Sequence, residues 1–200
     1  EAKKKLKHNN PKGLIMWAHQ SSGKFKEWAS LDHFGGTNMI KYFNFQKLFY
    51  EALEKQAKNL LLCRQYAQLW EDDKRIKEFA PEIRFQFIKK SEKLGNKSTF
   101  LKDLSDCRMV IITANHTTYL ETLCANYPTL IYWVPEANVY RKYQDKYFKL
   151  LIKAGILHLD PLSAAKKLNK IWVDPISWWK SKKVQYARKE FCLNLANTNN

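Results

Sequence analysis

Apolar residues along the chain fall into two patterns, short uninterrupted runs and longer stretches with helical spacing, and the two alternate. Residues 14–18 (LIMWA) form a compact apolar run that passes into His19-Gln20-Ser21-Ser22-Gly23, which predicts a buried strand entering a loop. Residues 24–44 are of mixed polarity, contain Gly35-Gly36, and read as a long loop or insert. Over 44–59, Phe45, Leu48, Phe49, Ala52, Leu53 and Ala57 recur at helical spacing with a Lys/Glu outer face. Residues 59–64 predict a second buried strand, 71–79 a charged helix stopped by Pro81, and 83–88 a third strand. A short helix over 99–105 has Ser98 or Thr99 as its N-cap, and 107–113 (CRMVIIT) is the most evident strand. There follow a helix from about 118 to 125, a strand over 129–133, and a helix over 143–154 with Gly155 as its C-cap. A short strand over 157–159 precedes helices over 163–173 and 174–195, the last opened by Asp174-Pro175.

Strands alternating with helices predict an α/β domain whose mostly parallel sheet is covered on both faces. It spans residues 14–195, between a basic tail over 1–13 and a short tail over 196–200. In such sheets ligands bind outside the carboxyl ends of the strands, so the loop after each strand is where chemistry is sought.

Composition narrows the classes. Hydrophobic residues make up 45% and charged residues 27% of 200, enough for a packed core and too apolar for disorder. No apolar run reaches the length of a membrane span, and the segment EAKKKLKHNN lacks the apolar stretch of a signal peptide. Without an initiator Met, the chain is expected to be a piece of a longer one. The net charge of +16 comes from 29 Lys and only 6 Arg spread along the chain. Recognition of base edges and phosphates favours the Arg fork, so the excess fits attraction to an anionic membrane surface better than nucleic acid. Cys63, Cys107, Cys124 and Cys192 include no C-x-x-C pair, which fits free thiols in a reducing compartment and neither metal nor disulfide.

Three loops are candidates for binding. The strongest is the turn Asn115-His116-Thr117-Thr118, between a strand and a helix N-terminus whose open N–H groups and dipole suit a phosphate. Thr117, Thr118 and His116 add donors, and Glu121, one turn on, can accept from a ribose hydroxyl. The alternative is that a threonine caps the helix and Glu121 closes a capping box. Arg64, past the second strand, can reach a phosphate or carboxylate, or pair with the Glu71-Asp72-Asp73 cluster. The third is the His19–Gly23 turn. No nucleophile–base pair, phosphate-binding glycine loop or catalytic residue is legible, and Trp172, Trp178 and Trp179 read as packing.

Residues 113–136 (TANHTTYLETLCANYPTLIYWVPE) resemble the donor-side motif of a family of bacterial surface-polysaccharide transferases, the LIC-type transferases of O-antigen loci, which look like GT-B glycosyltransferases. Three further blocks agree in order: 44–62, the R-x-Y block at 60–85, and 154–192 with its Ile-Trp-x-Asp-x-x-x-Trp-Trp pattern. Two departures stand out. The R-x-Y block runs Arg64-Gln65-Tyr66-Ala67-Gln68-Leu69-Trp70 without the family's His and Asp, and His116 replaces a small residue.

The resemblance implies a Rossmann-like, three-layer domain, the C-terminal half of a GT-B fold, that binds a nucleotide-sugar as donor substrate and needs no other cofactor. It places Asn115 and His116 among the nucleotide-sugar-binding residues and assigns Thr117, Thr118 and backbone N–H groups to phosphate, Glu121 to ribose, Arg64 to phosphate or a sugar carboxylate, and Trp133 and Glu136 to the sugar pocket. It further implies a glycan or lipid-linked acceptor, an N-terminal acceptor domain outside this chain that carries any catalytic base, and a cytoplasmic location at the inner face of the membrane. The rival reading is a non-catalytic or degenerate domain that binds polyanions or nucleic acid.

Overall fold

The computed structural model describes residues 10–19, 36–66, 72–88, 99–137 and 140–196. Strands β1 (Leu14–Ala18), β2 (Leu61–Tyr66), β3 (Arg84–Ile88), β4 (Cys107–Ile112), β5 (Thr129–Tyr132) and β6 (Leu157–His158) form one sheet in the order β3-β2-β1-β4-β5-β6. Every neighbouring pair runs parallel. The helices are α1 (Gly36–Glu51), α2 (Lys55–Lys58), α3 (Asp72–Phe79), α4 (Thr99–Leu104), α5 (Thr117–Cys124), α6 (Asp145–Ala154), α7 (Pro161–Ile171), α8 (Pro175–Lys180) and α9 (Lys182–Leu195).

The strands read as uninterrupted apolar runs because the sheet has no wet face. Ile15 and Trp17 of β1 point into one core with Phe49 of α1, Ile76 of α3 and Leu168 of α7. Met16 points into the other, with Leu104 of α4, Leu123 of α5, Leu151 of α6 and Phe191 of α9. The result is the expected three-layer, Rossmann-like α/β arrangement. No helix among the described residues is long and apolar enough to cross a membrane.

Several boundaries differ from the sequence reading, each for a local reason. The helix expected from residue 44 begins at Gly36, so 36–44 is helical rather than loop, while 20–35 lies outside the described residues. The same helix stops at Glu51; its buried stripe is Tyr42, Gln46 and Phe49, Leu53 is buried just past its end, and Leu48 and Ala52 are exposed. The helix expected from residue 163 starts at Pro161, because Asp160 caps it by accepting the Ser163 N–H at 2.6 Å. Asp174 caps α8 as expected, through the Ser177 N–H at 3.0 Å, but Ser181 interrupts the segment and α9 starts anew. The expected cap Ser98 lies outside the described residues.

Two left-handed positions end helices. Gly155 (φ 70°) donates to Ile152 O and Ile156 to Leu151 O, each at 2.9 Å, the Schellman pattern that favours glycine. Asn126 (φ 54°) ends α5 in the same way, through Tyr127 N to Thr122 O at 2.9 Å, and its carbonyl and side-chain oxygen both accept from Trp179 Nε1. Trp179 is therefore a packing residue.

Residues 10–13 turn against the start of β4. Asn10 N–H donates to Cys107 O at 3.1 Å, and Gly13 O accepts from Arg108 Nε at 2.7 Å. A Cβ on Gly13 would sit 2.1 Å from Asp106 O, a backbone atom with no rotamer to escape through. Gly13→Ala is expected to cost about 1–3 kcal/mol, seen as a lower thermal midpoint; an unchanged midpoint would mean that the turn shifts freely.

The cysteines are all free thiols. Cys63 and Cys107 are buried, and burial pushes the Cys107 thiol up to about 12. Cys124 is only partly buried, and a hydrogen bond from Cys192 together with the Arg188 charge pulls it down to about 7, against the opposing effect of burial. Since the thiolate is the nucleophile, iodoacetamide near neutral pH should alkylate Cys124 first, with a midpoint well below that of an ordinary thiol. Loss of the fast phase in Cys124→Ser identifies the site; a fast phase that survives the substitution refutes it.

Candidate functional site

All strand carboxyl ends lie along one edge of the sheet, and the strand order reverses between β1 and β4, which opens a crevice there. Thr113 closes its base: Oγ1 donates to Ala18 O at 3.0 Å and lies 2.8 Å from the Tyr42 hydroxyl. His19 continues β1, donating its N–H to Arg64 O at 3.1 Å. Its ring sits edge-on to Trp17 with centroids 4.2 Å apart, and neither ring nitrogen has a hydrogen-bond partner among the described residues. Burial holds its pKa down at about 3, so the imidazole is neutral. Residues 20–23 of that turn lie outside the described residues.

From the crevice the chain passes through Asn115 into α5. The N-cap is His116, extended at φ −117° and ψ 171° and without a side-chain capping bond. Neither threonine caps the helix, and Glu121, five residues past the cap, is too far along for a capping box. The first-turn N–H groups of an α-helix have no intrahelical partners, and here Thr117 and Thr118 carry them at an open surface. Glu121 is half-buried, and burial raises its carboxyl pKa while the charge of Arg64 pulls the other way.

Arg64 lies within β2 rather than past its end, and it is buried. Among the described residues it pairs with Asp103 of α4, through Nε to Oδ2 at 3.1 Å; Glu71 of the expected cluster lies outside the described residues. Its guanidinium also packs 4.9 Å from the Phe100 ring. Residues 67–71, where the R-x-Y block departs from the family, lie outside the described residues.

Trp133 and Glu136 are not brought into the same opening. Trp133 is 1% exposed, edge-on to Tyr119 and Phe148 with centroids 5.7 and 6.0 Å away. Glu136 is exposed and pairs with Lys41 of α1 at 3.4 Å. The open space beside α5 is a pocket of about 550 Å³, lined by Asn115 and Tyr119 and by Tyr140, Arg141, Gln144 and Phe148. Sequence reasoning missed the last four. The only local signal was an aromatic residue before the predicted helix and another within it, a pattern that ordinary core packing also gives.

The arrangement thus joins Asn115, His116, Thr117, Thr118 and Glu121 on one loop and helix, sets Arg64 within electrostatic reach of Glu121, and leaves Trp133 and Glu136 apart. Chemically, it offers an anion cradle beside a pocket of mixed aromatic and amide character. No characterised protein with a curated description matches the sequence. Among solved structures, the chain is similar to that of WaaG, a glycosyltransferase involved in lipopolysaccharide biosynthesis, with TM-score 0.45, 10% identity, and 94% of this chain against 49% of that one. The chain spans about half the length of that protein. A model of the LIC12162 family of transferases matches residues 1–200, so the chain belongs to that transferase family.

Proposed function

We propose that the chain is the donor-binding domain of a glycosyltransferase that acts in bacterial surface-polysaccharide or O-antigen synthesis, with a nucleotide-sugar as its donor. The observation that carries this reading is the uncapped N-terminus of α5, placed at the carboxyl edge of a parallel sheet with Thr117 and Thr118 in its first turn. The dipole and open N–H groups there suit the charge that develops on a departing phosphate. Glu121 lies one turn inside, positioned for a ribose hydroxyl, and the buried Arg64–Asp103 pair backs it. The base that deprotonates a glycan or lipid-linked acceptor is assigned to a further, N-terminal domain.

The same reading places the protein in the cytoplasm at the inner face of the membrane. Its support is the Lys excess, 29 Lys against 6 Arg spread along the chain, which includes Lys166, Lys167 and Lys170 on α7 and Lys182, Lys183 and Lys189 on α9. Such a surface is attracted to anionic headgroups.

Thermal melting against CMP, UDP, GDP and dTDP, with ATP as control, tests the reading. A matching ligand at about 100 times its Kd should stabilise by roughly 2.7 kcal/mol. The double change Thr117→Ala, Thr118→Ala should remove most of that gain while leaving the ligand-free midpoint nearly unchanged, since Thr117 is exposed, Thr118 is only partly buried and neither caps the helix. A flat panel, or a gain that survives the double change, refutes the assignment.

A further inference from the structure

The pocket of about 550 Å³ lies between the β4–α5 loop and the segment entering α6, within the size range of small-molecule sites. One wall is aromatic: Tyr140 stacks on Phe148 with centroids 4.0 Å apart and planes at 18°. The Tyr140 hydroxyl is tethered to Asp145 Oδ1 at 3.4 Å, which fixes the ring. The remaining walls combine planar polar groups, the Asn115 and Gln144 amides and the Arg141 guanidinium, with the apolar Leu120 and Leu195. Gln144 Oε1 accepts the Arg141 backbone N–H at 2.9 Å, so the amide is held in place before any ligand arrives.

A flat ring beside amide and guanidinium forks matches the chemistry of a sugar. The C–H face of a pyranose lies on an aromatic ring, and its hydroxyls both give and accept hydrogen bonds at groups of this kind. We infer that this pocket receives the sugar of the nucleotide-sugar donor, with Tyr140 as its platform and Asn115, Arg141 and Gln144 reading its hydroxyls. The inference rests on α5 as the phosphate-holding helix. Asn115 and Tyr119 flank Thr117 and Thr118 in sequence and also line the pocket, so a sugar joined to a phosphate on the first turn enters it directly. The sugar wall thereby moves from Trp133, sealed behind Tyr119 and Phe148, and from Glu136, engaged with Lys41, to the residues that lead into α6.

Two other ligands share part of this chemistry, a nucleobase and an acceptor glycan, and titration calorimetry separates them. The chain is titrated with UDP-glucose, GDP-mannose and dTDP-glucose, each beside its free diphosphate, and then as Tyr140→Ala, Tyr140→Phe and Arg141→Gln. For the donor that binds, Tyr140→Ala is expected to weaken the nucleotide-sugar about tenfold and to leave the diphosphate within about twofold, with Tyr140→Phe close to the parent. Arg141→Gln, an exposed change that does not touch the core, should act in the same direction and covers the case in which Tyr140→Ala fails to fold.

A parallel loss for the diphosphate, as a base pocket would give, overturns the inference. An unchanged nucleotide-sugar affinity, as an acceptor pocket would give, overturns it too. In both cases diphosphate binding leaves the donor-domain reading standing. A parent chain that binds no diphosphate overturns that reading, and this inference falls with it.

Discussion

Trp17→Ala is expected to cost the domain about 3–5 kcal/mol, a large share of the roughly 5–15 kcal/mol that holds a domain of this kind together. Trp17 sits on the central strand at 0% exposure, stacked on Tyr50 with planes at 11° and tilted against Phe49 at 5.6 Å. Its indole N–H donates to the Tyr132 hydroxyl at 3.0 Å, and that hydroxyl donates to Gln46 Oε1 at 2.5 Å. The tryptophan thus links β1, β5 and α1 through one polar relay inside an apolar core. Truncation removes the largest buried ring on that face, leaves a cavity that rigid strands cannot close, and takes one partner from a buried hydroxyl. Urea unfolding followed by circular dichroism should show a much lower midpoint with an unchanged slope. Trp17→Phe, which keeps most of the packing, should lie between. A loss below about 1 kcal/mol for the alanine variant would mean that the core repacks around the gap.

His116→Asp should move stability and ligand affinity in opposite directions. His116 occupies the N-cap of α5 without capping it, and aspartate is among the strongest capping residues. The new carboxylate would accept from the first-turn N–H groups and meet the positive end of the dipole, raising stability by about 0.5–2 kcal/mol. Those are the groups assigned to the donor phosphate. The variant should therefore bind the matching nucleotide at least about tenfold more weakly, through lost donors and added repulsion. Because the protein becomes more stable, weaker binding cannot be ascribed to unfolding. Unchanged affinity would remove the phosphate from α5.

What the sequence reveals depends on how local the cause is. The strands at 14–18, 107–112 and 129–132 are legible because a sheet covered on both faces demands unbroken apolar runs, and few helices of that length are so uniform. Asp174-Pro175 is legible because a cap needs only its neighbours. The equivalent signal at Asp160-Pro161 is present but hidden among the apolar residues of β6. The early part of α1 is concealed because Gly36 opens it and the segment before residue 44 is of mixed polarity. The site divides in the same way. The turn at 115–118 and Glu121 follow from one strand–helix junction. The Arg64–Asp103 pair and the wall at Tyr140 and Arg141 depend on residues that only the fold brings near.

The position of β1, first strand in the chain yet third in the sheet, also bears on how the protein is made. Its pairing with β4 joins Leu14 to Cys107, about ninety residues apart, which at translation rates of ~5–20 residues per second is a wait of about 5–20 s. β2 and β3 emerge within that interval and can pair with β1 on one side. Its other side stays an unpaired apolar edge, open to any strand from a neighbouring nascent chain. Ribosome-bound chains that stop short of β4 should therefore recruit holding chaperones, and those extended through β5 should release them.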